Sequence, residues 1–136
     1  MITIERAGLS DAGLLTTLAN ATFRETHQAG VPATALEYYI ANKLTADVLK
    51  KELEDSDNIF HFIYADGVLA GYSKIIFNKT YPAIERTHVA KLERLYLLQQ
   101  FHIPEHLSVK MLVNSLLQLV EVELIQEELT VHYQQD

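Results

Sequence analysis

Residues 59–77 constrain the fold most. Ile59, Phe60, Phe62, Ile63 and Tyr64 form one run of β-favouring residues, and Val68 to Phe77 form another. Between them stands Asp66-Gly67. An Asp-Gly pair flanked by such runs predicts a two-residue hairpin, because the turn that matches strand twist needs positive φ at both central positions. Gly71, inside the returning run, marks a bulge or a close backbone approach.

The remaining elements follow from spacing. Ile2, Ile4 and Arg6 alternate with Thr3 and Glu5, which predicts an opening strand. Leu14, Leu15, Leu18, Ala19, Thr22 and Phe23 have helical spacing, with Ser10 as the expected N-cap and a run to about His27. Gly30, Val31 and Pro32 break that helix. A second helix is expected from about Ala33. A third is expected after Thr45 as cap, with Val48, Leu49 and Leu53 on one face, ending at Asp55 to Asn58. Residues 78–87 read as a loop, Val89 to Leu98 as a strand, Glu105 to about Glu123 as a helix and Leu129 to Tyr133 as a last strand. The expected order is β-α-α-α-β-β-β-α-β, in one domain of 136 residues.

Composition excludes several chemistries. The chain has no cysteine, so disulfides, thiolate metal sites and a cysteine nucleophile are ruled out. A net charge of -7 disfavours nucleic acid, which needs clustered Lys and Arg, and favours cationic partners such as amines. The N-terminus lacks the pattern of a secretory signal, and no apolar run is long enough to span a bilayer. A soluble, cytoplasmic protein is expected.

With the element order in place, three segments carry a family resemblance. The opening ITIERAGLSDAGLLTTLANATFRETH, the hairpin IFHFIYADGVLAGYSKI and, most specifically, AKLERLYLLQQFH resemble the GNAT (GCN5-related N-acetyltransferase) family. The nearest subgroup is the PaiA-type spermidine/spermine N-acetyltransferases, and the likeness covers roughly residues 1–102. It implies an α+β fold with a mixed central sheet flanked by helices. It also implies acetyl transfer from acetyl-CoA to a primary amine of a small substrate, a polyamine being the expected acceptor. Acetyl-CoA would lie along the backbone of Leu97 and Leu98 and against the following turn, His102, Ile103, Glu105, His106, Leu107 and Ser108. Glu93 would act as general base. Phe23, Glu25 and Tyr38 would border the acceptor amine.

The sequence departs from the family in two places. Ile103, Glu105 and Leu107 stand where the family turn carries glycines. Side chains there oppose the backbone approach that a pyrophosphate needs. Pro104 removes an N–H donor, and Glu105 adds a negative charge. Second, the resemblance stops at the strand near Leu129, short of the family's last helix and strands. The chain is therefore expected to be incomplete at its C-terminal edge, with an exposed sheet edge that invites a homodimer. A catalytically inactive module acting through dimerisation or partner binding is the competing expectation.

Plainer readings exist for each candidate residue. Glu93 pairs with Arg94 or Lys91 on a strand face, Glu25 lies on a solvated helix face, and Tyr38 and Tyr39 pack into the helical core. His27, His61, His88, His102, His106 and His132 show no ligand spacing, so no metal is expected.

Overall fold

The computed structural model describes residues 1–77, 89–101 and 130–133. The expected loop 78–87 and the helix expected over 105–123 lie outside these residues.

Five strands form one sheet in chain order: β1 (Ile2–Arg6), β2 (Asn58–Ala65), β3 (Val68–Ile76), β4 (Val89–Leu97) and β5 (Thr130–Tyr133). The first four are antiparallel to their neighbours, while β5 runs parallel to β4, so the sheet is mixed. Between β1 and β2 come α1 (Ala12–His27), α2 (Ala33–Lys43) and α3 (Ala46–Glu54). The expected α+β architecture is what the chain adopts.

The hairpin turns as its sequence predicts. Asp66 and Gly67 have φ values of 48° and 81°, the two positive angles of the tight turn. Thr45 caps α3, its hydroxyl accepting from the Val48 N–H at 3.2 Å. Ser10 does not cap α1. Leu9–Asp11 form a single 3-10 turn, and α1 starts one residue later than a Ser10 cap requires. The Asp11 carboxylate accepts instead from the Gly8 N–H at 2.8 Å. Thr, Ser and Asp compete at such boundaries because each can satisfy an orphan N–H.

The main core lies between the helices and one sheet face. Leu15, Leu18 and Ala19 of α1, Leu36 and Ile40 of α2 and Leu49 of α3 pack on Phe60, Phe62, Tyr72 and Tyr96. On the opposite face Ile63 is buried among Ile2, Ile4, Leu95, Leu97 and Phe101. Tyr38 is the correction to the expected packing. It is 73% exposed on α2, because Leu36 and Ile40 take the inward positions.

Two irregularities bend the sheet, each adding one residue to a strand. Between β2 and β3 the register steps from Ile63↔Gly71 to Tyr64↔Leu69, leaving Ala70 as the extra residue. Between β3 and β4 it steps from Lys74↔Arg94 to Ile75↔Leu92, leaving Glu93 as the extra residue.

Candidate functional site

Glu93 gains its place from that second bulge. Strict alternation would put Glu93 and Arg94 on opposite faces. The extra residue cancels one step, and both side chains join the same group of charges on the helical face. Lys74, directly opposite Arg94 on β3, lies at its centre. The Lys74 ammonium donates to Glu93 Oε1 at 3.1 Å and to Glu52 Oε1 of α3 at 2.6 Å. Arg94 Nη1 lies 3.1 Å from Glu52 Oε1, and its Nη2 lies 3.7 Å from Glu93 Oε1. The Lys74 side chain is 7% exposed, and those of Arg94, Glu52 and Glu93 are 16%, 19% and 27% exposed. Two cations thus meet two carboxylates under partial burial, with Lys74 also 5.8 Å from the centre of the Phe60 ring. Burial works against the Arg94 charge. Glu52, Tyr72 and Glu93 outweigh it and hold the guanidinium value above the ordinary one. Burial likewise pushes the Tyr72 phenol well above its usual range, against the pull of Arg94.

The plainer expectation for Glu93 named Arg94 or Lys91 as partner. Arg94 does reach Glu93, at 3.7 Å, while Lys74 lies at 3.1 Å and the side chain of Lys91 lies outside the described residues. Sequence reasoning named Arg94 only as a partner of Glu93 and did not single out Glu52 or Lys74. The available signal was a lysine and an arginine within strands otherwise rich in apolar residues.

Beside this group runs a file of aromatic rings. Tyr39 stacks on Phe23 with centroids 4.5 Å apart, and Phe23 lies 4.4 Å from His27. His27 meets Tyr96 edge-on at 6.5 Å. Tyr96 lies 5.8 Å from Tyr72, and Tyr72 6.5 Å from Phe60. Phe23 is therefore part of a continuous aromatic wall from α2 across α1 to the middle of the sheet. Tyr38, one residue from Tyr39, is not part of it. Glu25 is not simply a solvated side chain, because its Oε1 accepts from the Gln99 backbone N–H at 3.1 Å. That bond ties the end of α1 to the 3-10 turn Gln99–Phe101, which follows β4.

The end of β4 is held from β3 as well. The Leu98 N–H donates to the carbonyl of Ala70, the extra residue of β3, at 2.8 Å, and the Leu98 carbonyl accepts from Phe101 N–H at 2.9 Å. On its other side β4 pairs in parallel with β5, among the described residues over Val89–Leu92 against Thr130–Tyr133. Residues His102, Ile103, Glu105, His106, Leu107 and Ser108 lie outside the described residues. Among those described, no group of three His, Asp or Glu side chains is placed to hold a metal ion, and no helix is long and apolar enough to cross a membrane.

The mixed sheet with three helices after its first strand is a fold this chain shares with solved GNAT acetyltransferases. One is the PaiA N-acetyltransferase of Thermoplasma acidophilum in complex with coenzyme A, 22% identical over 90% of this chain and 74% of that one, with a TM-score of 0.66. Another is an aminoglycoside acetyltransferase from an uncultured soil metagenomic sample, 18% identical over 100% and 80% of the two chains, TM-score 0.68. A GCN5-related N-acetyltransferase from Ralstonia eutropha is 15% identical over 97% and 83%, TM-score 0.65. No family model matches the sequence.

Proposed function

We propose that residues 1–136 form a single GNAT-type N-acetyltransferase domain that moves an acetyl group from acetyl-CoA to a primary amine of a small cytoplasmic substrate, with a polyamine as the preferred class. The observation that carries this reading is the behaviour of β4. Its bulge turns Glu93 onto the helical face of the sheet, beside Lys74 and Arg94. A carboxylate placed there, on the strand that ends at Leu97 and Leu98, suits an acyl carrier running along that strand end. The solved PaiA relative binds coenzyme A, and the shared fold supports the same use here. In this reading the arm of acetyl-CoA follows Leu97 and Leu98 toward the turn at residues 102–108. Glu93 takes a proton from the substrate ammonium, directly or through water, so that the freed amine attacks the thioester carbonyl; the C–S bond then breaks, and the sulfur leaves as the coenzyme A thiol once it has taken up the amine's remaining surplus proton. Phe23 and Glu25 border the amine at the end of α1, with exposed Tyr38 on the rim. The net charge of -7 suits a cationic acceptor.

Titration calorimetry with acetyl-CoA, followed by thiol release in the presence of spermidine, tests the reading. Saturable binding and amine-dependent thiol release are expected. No heat at millimolar acetyl-CoA, together with no thiol release, would overturn it.

One sequence observation favours a second reading. Ile103, Glu105 and Leu107 replace glycines in the turn that would receive the pyrophosphate. A non-catalytic module acting as a homodimer or through a protein partner would show a dimer by light scattering and no thioester turnover. A monomer that acetylates spermidine excludes it.

A further inference from the structure

The charge group around Glu93 has a feature that stability alone does not account for. Phe60 and Tyr72 surround position 74, so an apolar side chain there would pack on the helical face without desolvating a charge. The chain instead buries an ammonium and neutralises it with two carboxylates from different elements, Glu52 of α3 and Glu93 of the β4 bulge. Glu52 also reaches Arg94, so a single carboxylate on α3 fixes both cations at once. Both cations in turn reach the same oxygen of Glu93. Glu93 is the extra residue of the bulge, offset from the ladder register of its neighbours. Contacts of this kind bear directly on where its carboxylate points.

We infer that Lys74 and Glu52 are positioning residues that set the direction of the Glu93 carboxylate, coupling α3 to the reacting end of β4. The inference rests on the acetyl-transfer reading for its consequence in catalysis, but not for the placement itself. Among the described residues, Lys74 of β3 and Arg94 of β4 face Glu93, with Glu52 of α3 one contact further. Lys74 thus stands between the helix and the carboxylate, and its replacement by an uncharged residue removes the shorter of the two cation contacts to Glu93, leaving that of Arg94 at 3.7 Å.

The test uses the full chain and the double variant Lys74→Met/Glu52→Gln, which deletes one cation and one carboxylate together and so avoids stranding a buried charge. Three-bond couplings report the Glu93 side-chain rotamer. The wild type is expected to show one rotamer and the double variant an average over several. A single unchanged rotamer in the double variant overturns the inference whether or not the protein is active. Acetylation of spermidine supplies the second readout. The double variant is expected to lose roughly tenfold in kcat with the KM for acetyl-CoA unchanged. The single variant Lys74→Arg, which keeps the cation, is expected to retain most of the wild-type kcat. Rotamer averaging with an unchanged kcat would remove the positioning role. Rotamer averaging in a protein whose wild type transfers no acetyl group would instead overturn the proposed function while leaving the placement of Glu93 established.

Discussion

A side chain on Gly71 would put its Cβ 2.1 Å from the carbonyl oxygen of Tyr96. The nearest obstacle is backbone rather than a flexible side chain, and Leu97 Cα lies 3.0 Å from the same added atom. Gly71→Ala therefore forces β3 and β4 apart. It is expected to lower unfolding free energy by about 3 kcal/mol, the upper end of what an extra methyl does in a packed interior. Urea denaturation of the two proteins measures it. A variant within a few tenths of the wild type would mean that the two strands separate freely at this point.

The buried and the exposed ion pairs should respond differently. Removing Lys74 leaves two partly buried carboxylates, Glu52 and Glu93, to share Arg94 alone, and Lys74→Ala is expected to destabilise by about 3 kcal/mol. Arg24 and Glu37 also pair, with one bond of 3.0 Å, but both side chains face solvent. Arg24→Ala is expected to leave the urea midpoint unchanged in physiological salt. The hydrogen bond from Arg24 holds the Glu37 carboxyl below its usual range. Any stabilisation from this pair is thus present above the unfolded-state value and fades as pH falls through the folded one. Urea midpoints at low and neutral pH, in wild type and Arg24→Ala, read that difference directly.

Tyr72 predicts an alkaline limb. Burial raises its folded value above the value near 10 expected in the unfolded chain. Below that pH both states hold the proton and no dependence arises. Above it the unfolded chain loses the proton first, so stability falls as pH rises. Tyr72→Phe should flatten the loss between roughly pH 9.5 and 11 relative to wild type, because no phenol is left to ionise. Equal slopes in the two proteins would show that Tyr72 ionises as readily folded as unfolded.

Glu25 makes a local prediction. Its bond to the Gln99 N–H holds the turn after β4 against α1. Glu25→Ala should speed hydrogen exchange at the Gln99 amide by on the order of tenfold while leaving amides of β2 unaffected, since the opening is confined to the strand end. Unchanged exchange at Gln99 would assign protection of that amide to the turn itself.

Much of the scaffold was legible from local chemistry. Asp66-Gly67 named its turn, Thr45 its cap, and Gly71 its close approach, because each depends on residues adjacent in sequence or on one missing Cβ. The run Val89–Leu98 placed β4 to within one residue. The direction of Glu93 was not legible. An extra residue in a strand leaves no mark on composition, and reading by alternation sends Glu93 away from Arg94, Lys74 and Glu52. Tyr38 was misjudged for a related reason. Two adjacent tyrosines on a helix cannot both face inward, and only the positions of Leu36 and Ile40 decide which way the pair turns. Ser10 and Asp11 were equally able to satisfy a helix-start amide, so the boundary fell to the backbone path rather than to residue type.

The group formed by Glu52, Lys74, Glu93 and Arg94 balances to zero charge, with members as far as 42 positions apart. Any single sign reversal among them strands a buried charge, so drift at one site is tolerable only with an answering change at another. In diverged descendants of this chain the four positions should consequently vary as a set, inherited together as one compound character.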